Sequence, residues 1–265
     1  MKKNICSLLL LLSIFGYTDC HAQFLNNIKS KIQDKLKSVN PTTKTTTETK
    51  DSSAPTMITT DAVSVTGNRI LYKDDFSNDR VGAMPKHWKS NIGGSVVVLP
   101  NQQGKWFLLQ PSASYRLDSV YNLPNKFALE FDLYSNATDI GFVKDLDIGF
   151  TPNNNAQSYI YAVNSDVDGY MEFVTSSDQV LLVNKQTDSQ GRIPFKFGSY
   201  TNAKIHISLL VEGKNIKVFW NGKKLFDKSD FFQLIDNRHF FISTDPNMKE
   251  NAQLCIGNFL ITGFE

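Results

Sequence analysis

The chain has 265 residues, with 28 Lys and Arg against 26 Asp and Glu. This near balance of charge gives no support to nucleic acid or a polyanionic substrate as a partner. The length and the 41% hydrophobic content are sufficient for a buried core without the support of disulfides.

Residues 1–22 have the pattern of a secretory signal peptide. Two lysines precede an apolar stretch over residues 5–17, which is too short and too early for a membrane span. We expect cleavage after Ala22 and export to the periplasm or the extracellular space. Lipidation of Cys20, which would give an outer-membrane lipoprotein, is the alternative. Asp19 and Tyr17 are poor residues for that cleavage site.

Cleavage after Ala22 would leave Cys255 as the remaining cysteine, so we expect no internal disulfide. Cys255 lies in an alternating apolar stretch near the C-terminus. A cysteine in that setting is typically a small buried apolar residue.

Residues 23–40 are predicted to form an amphipathic helix, with one apolar stripe surrounded by lysines. The helix could dock on its own domain, or make weak contact with an anionic membrane surface or a partner helix. Residues 41–66 are rich in Thr and Ser and poor in apolar residues. We expect this segment to be a flexible linker that a protease cuts between Lys44 and Thr60.

Residues 67–265 show short alternating stretches separated by turn residues, with no long helical period. The stretch Phe127–Ser135 alternates most regularly. We also interpret "SYIYAVN" and "YMEFVTS" as two strands joined by a hairpin turn at Asp168-Gly169. Many short strands without intervening helices predict an all-β fold, an antiparallel two-sheet jelly-roll sandwich.

The hairpin around Gly213-Lys214 allows a prediction of register. A two-residue loop there places Val211, Leu209 and Ile207 opposite Ile216, Val218 and Trp220. All six side chains would then face the core, so we expect Trp220 to be a packed residue. A second turn of type I′ is expected at Asn221-Gly222.

Five stretches carry a resemblance to a known family: "DDFSNDRVGAMPKHW", "GKWFLL", "NLPNKFALEFDL", "IKVFWNGKKLFD" and "IGNFLITGF". Together they resemble the concanavalin A-like lectin/glucanase superfamily, which includes laminin-G-like domains. They are also similar to the sandwich domain that precedes OmpA-like modules in some secreted bacterial proteins, although we expect no such module here. The resemblance implies a sandwich whose concave face binds carbohydrate, or one that binds proteins.

The pair Glu130 and Asp132 matches the first two acids of the Glu-x-Asp-x-x-Glu motif in the glucanases that the chain resembles. The third position is Ser135, which cannot act as the acid that a glycosidase requires. We therefore predict no catalytic residue. We expect both acids to lie on the polar, solvent-facing side of their strand, where neutralising either would cost less than about 1 kcal/mol of stability.

A loose calcium-loop pattern occurs at Asn164, Asp166 and Asp168, before Gly169. The pattern lacks the opening Asp and the closing Glu of a full loop, and strands rather than helices are predicted on both sides. Calcium is thus a possible cofactor. The run with Asp139, Asp145 and Asp147 is a weaker candidate.

The function predicted from the sequence is non-catalytic binding of a glycan or a cell-envelope component. Candidate ligand-binding residues are Glu130, Asp132 and Tyr134 on the concave face, with Trp88 and Trp106 at loop edges. A tryptophan there can stack on a sugar ring or cap the end of the sandwich. The alternatives are a protein-interaction or structural module, and a glycoside hydrolase with a noncanonical acid.

Overall fold

The computed structural model describes residues 65–119, 123–163, 166–233, 238–249 and 251–265. Fifteen β-strands lie in these ranges. In chain order they are β1 Arg69–Asp74, β2 Trp88–Ser90, β3 Ser95–Val97, β4 Trp106–Leu109, β5 Ser114–Leu117, β6 Lys126–Ser135, β7 Asp145–Thr151, β8 Tyr170–Val174, β9 Gln179–Asn184, β10 Ser189–Pro194, β11 Lys204–Glu212, β12 Asn215–Trp220, β13 Lys223–Lys228, β14 His239–Thr244 and β15 Leu254–Gly263. Three short 3₁₀ turns lie at Ile140–Phe142, Thr175–Ser177 and Phe197–Tyr200.

The strands form two antiparallel sheets. The first sheet has eight strands in the order β13-β12-β11-β6-β15-β4-β3, and β1 also pairs with β15. The second sheet has seven strands in the order β10-β9-β8-β7-β14-β5-β2. This arrangement confirms the predicted all-β, two-sheet sandwich.

Alternation along each strand separates a core face from an outer face. On β6, Phe127, Leu129, Phe131 and Leu133 enter the core between the sheets. Phe131 lies at the centre of an aromatic cluster, with its ring centroid 6.1 Å from that of Phe259. The cluster continues through rings on both sheets, so the many phenylalanines of the sequence form the contact between the two layers.

The predicted hairpin register is confirmed. Strand β11 pairs with β12 so that Ile207 lies opposite Trp220, and the two other predicted pairs also form. Trp220 is buried, with its ring centroid 4.4 Å from that of Phe195. Asn221 and Gly222 both have positive φ, as a type I′ turn requires.

The expectation that "SYIYAVN" forms a strand is wrong. Tyr170–Val174 is a strand, but it pairs with β7 and β9, and residues 158–163 form none. The apolar residues of this segment are buried for a different reason. Ile160 and Ala162 pack against Tyr170 and Phe241 on the outer face of the second sheet. Packing on the face of a sheet therefore produced the same alternation as a strand.

Cys255 is fully buried on β15, as predicted, and burial raises the pKa of its thiol to about 12. The predicted signal peptide, amphipathic helix and most of the predicted linker lie outside the described residues. Among the residues that are described, no helix is long and apolar enough to cross a membrane.

Phe131 provides a test of the core. We expect Phe131→Ala to lower the free energy of unfolding by about 3–5 kcal/mol, because it leaves a cavity among aromatic rings. Ile70→Ala, at a side chain that is 66% exposed, should change it by less than about 0.5 kcal/mol. Urea unfolding followed by tryptophan fluorescence measures both. Equal costs for the two variants would show that Phe131 is not central to the core.

Candidate functional site

The Glu-x-Asp pair lies at the centre of the first sheet, on its outer face. Strand β11 places His206 directly opposite Asp132. The His206 Nδ1 lies 2.9 Å from Asp132 Oδ1, and its Nε2 lies 3.3 Å from Glu130 Oε2. Asp132 Oδ2 also accepts hydrogen bonds from Lys204 Nζ at 3.0 Å and from Asn258 Nδ2 at 2.7 Å.

These contacts determine the protonation of the group. Hydrogen bonds to Asp132 and then to Glu130 raise the pKa of His206 to about 9, so the ring is a cation at neutral pH. Burial by itself would raise the pKa of both carboxyls. Burial is the largest single effect, but the hydrogen bonds and charges of His206 and its neighbours together outweigh it, and each carboxyl has a pKa below its ordinary value. We call Glu130, Asp132, Lys204, His206 and Asn258 the staple, because their hydrogen bonds connect strands β6, β11 and β15. Two carboxylates and two cations balance the charge of this group.

The expectation that Glu130 and Asp132 face solvent is wrong. Both point away from the core, but they are only 7% and 4% exposed. The His206 and Lys204 side chains lie over them, and Thr66 contributes a hydrogen bond to Glu130. An amide in place of Asp132 would remove the counterion of Lys204 and one of the two carboxylate partners of His206, so we expect a cost above the limit of about 1 kcal/mol predicted for a solvent-facing acid.

Three aromatic side chains predicted to bind ligand are buried. Tyr134 is 8% exposed and packs on Trp106, with ring centroids 6.0 Å apart. Trp106 is 2% exposed and lies so close to Gly257 that a Cβ there would be 2.8 Å from its ring. Trp88 is 4% exposed, and its Nε1 donates to Asp74 Oδ2 at 3.1 Å. These buried rings offer no open face to a sugar, so the prediction that Tyr134, Trp88 and Trp106 bind a ligand is wrong, and of the two roles considered for the tryptophans stacking on a sugar is excluded.

The residues predicted to bind calcium do not share one environment. Asp168 is 2% exposed, and its Oδ2 lies 3.6 Å from Nε of the buried Arg238. Its Oδ1 accepts a hydrogen bond from the Gln233 N–H at 3.1 Å. Asp166 is exposed, and Asn164 lies outside the described residues. The Asp168 carboxylate already has a buried cation as its partner, so these contacts do not support a calcium ligand there.

A different group of acids gathers on the outer face of the second sheet. We call Asp145, Asp147, Glu172 and Asp245 the carboxylate cluster. Asp147 and Glu172 are direct cross-strand partners on β7 and β8, and Asp145 lies two residues before Asp147 on the same face. Asp245 follows β14, and its N–H donates to the Asp145 carbonyl at 3.1 Å. All four side chains are half-buried.

The pKa values of Asp145, Asp147 and Glu172 are raised, whereas those of Glu130 and Asp132 are lowered. Burial, and then the charge of Asp145, raises the pKa of Glu172 to about 7. Burial, and then the charge of Glu172, raises the pKa of Asp147 well above its usual range. Burial and the charge of Asp245 raise the pKa of Asp145. Arg192 and Lys144 offset part of this effect on Glu172 and Asp145, but no basic side chain among the described residues lies within ion-pair distance of these acids.

Residues 152–163, which we call the cover segment, cross this face of the sheet. The Ile160 N–H donates to Ser114 Oγ at 2.7 Å, and Tyr159 Oη donates to the Thr244 carbonyl at 2.9 Å. The Ala162 backbone N–H donates to the Asp147 carboxylate. Tyr161 remains 48% exposed, with its ring centroid 6.4 Å from that of Tyr159. The face thus combines half-buried acids with an open tyrosine ring.

Reasoning from sequence found only part of this site. The sequence indicates Asp139, Asp145 and Asp147 as a weak calcium candidate because these acids are close along the chain. Glu172 and Asp245 come from other strands, so no local spacing connects them to Asp147. Tyr161 was assigned to a strand. The sequence signal that could have identified this site is the "DLD" stretch, Asp145 to Asp147. Two acids on one face of a predicted strand require either solvent or a polar partner.

No protein-family model matches the sequence, and no curated protein matches it. Solved structures do share its fold. The chain is similar to the carbohydrate recognition domain of Emp47p at 15% identity and a TM-score of 0.51, covering 73% of this chain and 95% of that domain. This similarity shows a lectin-like β-sandwich.

Two toxin domains are also similar. The botulinum neurotoxin serotype D binding domain matches at 15% identity and a TM-score of 0.49 over 74% of this chain. The binding domain of Paraclostridial Mosquitocidal Protein 1 matches at 16% identity and a TM-score of 0.49, also over 74%. The chain covers about half of each toxin domain, 48% and 49% of their lengths.

The staple yields a test by substitution. We expect Asp132→Asn to lower the free energy of unfolding by about 1–3 kcal/mol, because three donors lose a charged acceptor. Glu212→Gln, at an exposed side chain paired with Lys126, should cost less than about 0.5 kcal/mol. Chemical unfolding of the two variants under the same conditions decides this. A cost for Asp132→Asn no larger than that for Glu212→Gln would refute the staple.

The pKa of His206 yields a test by pH. Because folding raises this pKa from 6.5 to about 9, the stabilisation is complete below about pH 6.5 and is lost as the pH rises through 9. The wild-type free energy of unfolding should therefore fall across this interval. The fall should be smaller in His206→Gln, which has no titrating ring. Identical pH profiles for the two proteins would contradict the raised pKa.

Proposed function

We propose that this protein is a non-catalytic glycan-binding module whose binding surface is the outer face of the second sheet. The observation that supports this is that the carboxylate cluster and the cover segment, which carries the exposed ring of Tyr161, lie on this same face. The lectin-like fold is compatible with the proposal, since the similar Emp47p domain is described as a carbohydrate recognition domain. At 15% identity that similarity supports the fold, so the argument for binding depends on the chemistry of the face.

The chemistry of the face suits a sugar. Carboxylates accept hydrogen bonds from hydroxyl groups, and the side chains of Glu172, Asp145 and Asp245 are only half-buried, so part of each remains exposed to solvent. An exposed tyrosine ring offers an apolar surface for the C–H face of a pyranose and a hydroxyl for its edge. The first sheet offers no equivalent, because its acids already bind His206 and Lys204.

The arrangement favours binding over hydrolysis. A retaining glycosidase needs two carboxyls about 5 Å apart on either side of the scissile bond. Asp147 and Glu172 are close enough in register, but the Ala162 N–H covers Asp147. A substrate bond could not lie between them unless the cover segment moved. The face can therefore hold a sugar without placing the bond between two acids.

The finer assignments belong to the same proposal. We place the module in the concanavalin A-like superfamily, on the sequence motifs and the two-sheet fold. We propose export by residues 1–22 and a ligand that is a glycan or other component of the cell envelope. Calcium is not required by the face described above, because its acids would contact hydroxyl groups directly. A protein partner is the alternative that the experiments below would detect.

We expect the purified full chain to bind a subset of neutral or amino-bearing glycans on an array. Tyr161→Ala should weaken that binding at least about tenfold, since a stacked ring contributes on the order of 1–2 kcal/mol. Ile70→Ala, an exposed apolar change on the first sheet, should leave it unchanged. Calorimetry on the best array ligand measures both variants.

Two outcomes would overturn the proposal. Absence of binding to any glycan, together with capture of a purified envelope protein through the Tyr161 face, would indicate a protein-interaction module. Release of reducing sugar from a bound oligosaccharide, abolished by Glu172→Gln, would indicate a hydrolase.

A further inference from the structure

The cover segment is held on the second sheet by contacts of two kinds. Around Ile160 the contacts are neutral, because its N–H donates to Ser114 Oγ at 2.7 Å and its side chain belongs to an apolar cluster with Phe241. Two residues later, the Ala162 N–H donates to the carboxylate of Asp147. The two anchors therefore differ in one property, since Asp147 can carry a charge and Ser114 cannot.

Asp147 lies beneath the segment with few donors for a carboxylate. Its Oδ1 is buried and has no hydrogen-bond partner among the described residues. Glu172 is its cross-strand partner on the same face, where Cβ atoms are typically about 5 Å apart. Among the described residues, no three His, Cys, Asp or Glu side chains are placed to hold a metal ion. A retained proton is therefore what can remove one of the two charges.

The groups that face this pair do not neutralise it. They come from the elements packed around it, and they are Asp145 on β7, Lys144 before β7, Tyr170 on β8, Arg192 on β10, Asp245 after β14, and Tyr159 and Tyr161 on the cover segment. Burial raises the pKa of Tyr159 and of Tyr170, so both hydroxyls stay neutral. The charge of Arg192 lowers the pKa of Glu172, but burial and the charge of Asp145 outweigh it.

We propose that the cover segment responds to pH, with its Ala162 end closed on the sheet while the pair of Asp147 and Glu172 retains a proton, and lifted when that proton is lost. Lifting exposes Asp147 to water, which solvates the second charge. The Ile160 end stays attached, because the hydroxyl of Ser114 does not titrate. This inference concerns the motion of the segment and does not depend on what the face binds.

The protonation of the pair supports this direction of change. Burial, and then the charge of Glu172, raises the pKa of Asp147 well above its usual range, although the Ala162 N–H acts to lower it. The loss of water at this position therefore outweighs the one hydrogen bond that the segment supplies. Glu172 has a pKa of about 7, so the pair begins to lose its proton near neutral pH.

The sign follows from the protons bound in each form. Lifting returns the pKa of Asp147 towards its ordinary value of 3.8, so the lifted form binds fewer protons than the closed form at any pH between the two pKa values. A rise in pH across this interval favours the lifted form, whereas below it both forms are protonated and the closed form has its full advantage. Each unit of difference in pKa changes the opening equilibrium by about tenfold.

Amide hydrogen exchange, measured for single residues by NMR on the full chain, tests this motion at about pH 5 and about pH 8. Each rate is divided by the intrinsic rate of an unfolded chain at the same pH. We expect the protection of the Ala162 amide to fall at least about tenfold between the two conditions. The Ile160 amide is the internal control on a neutral anchor, and its protection should change less than about threefold, as should that of the central strand β11.

Variants identify the groups that sense the pH. Asp147→Asn keeps the shape of the side chain and removes its titration, and Glu172→Gln removes the neighbouring charge. Each should reduce the pH dependence of Ala162 protection to less than about threefold, because no raised pKa then links opening to pH. Glu212→Gln on the first sheet, at an exposed side chain paired with Lys126, should keep the wild-type profile.

Three results would overturn the inference. Equal protection of Ala162 at both pH values would show that the segment does not respond. An equal loss of protection at Ile160 and along β11 would show that the whole sandwich loosens instead. A loss at Ala162 that persists in both Asp147→Asn and Glu172→Gln would show that these acids are not the sensor. None of these results bears on glycan binding, which the array tests separately.

Discussion

Packing of alternate apolar side chains between two sheets is the constraint on which the rest of this structure depends. Each strand buries one face, and burial of rings such as Phe131, Phe240 and Phe259 supplies the driving force for stacking the layers. The opposite face of every strand is then left outside the core. Because β6 and β7 are central strands, the polar residues on their outer faces lie far from the edges of the sheets and are largely covered by neighbouring side chains.

Acids on the outer faces of the two sheets have pKa values that are shifted in opposite directions. On the first sheet, Asp132 is surrounded by Lys204, His206 and Asn258, and its pKa falls although it is buried. On the second sheet, Asp147 is surrounded by other acids and a backbone amide, and its pKa rises. Two effects make the difference: the Asp147 carboxyl lies deeper in the protein than that of Asp132, and its neighbouring charges are negative rather than positive. A carboxylate with nearby cations gains stability from them, whereas buried acids that lie beside other acids cost stability in their ionised forms.

The sequence predicted register and burial correctly where the residue pattern within one strand or one hairpin determines them. The register of β11 and β12 followed from a two-residue loop, and the burial of Trp220 and Cys255 followed from alternation. It failed where a contact joined distant parts of the chain. The sequence shows Glu130 and Asp132 as adjacent polar positions, but it does not show that His206 lies opposite them. Similarly, the alternation in "SYIYAVN" correctly predicted that its apolar residues are buried and wrongly predicted that the segment is a paired strand. A segment packed on the face of a sheet can alternate with the same period of two as a strand within the sheet.

This contrast also explains why the most recognisable motif was not the candidate site. Glu-x-Asp attracted a functional interpretation because two acids share one face of a strand, and Asp145-x-Asp147 has that same property. What separates them is the third group that the fold brings to each pair. At Glu130 and Asp132 the third group is the cation His206, which satisfies both carboxylates and leaves them little capacity to bind anything else. At Asp145 and Asp147 it is Glu172, a further acid, and its pKa is raised by burial and then by the charge of Asp145. The chemistry of a face therefore depends on the residues opposite the motif, and these are fixed by strand order and register.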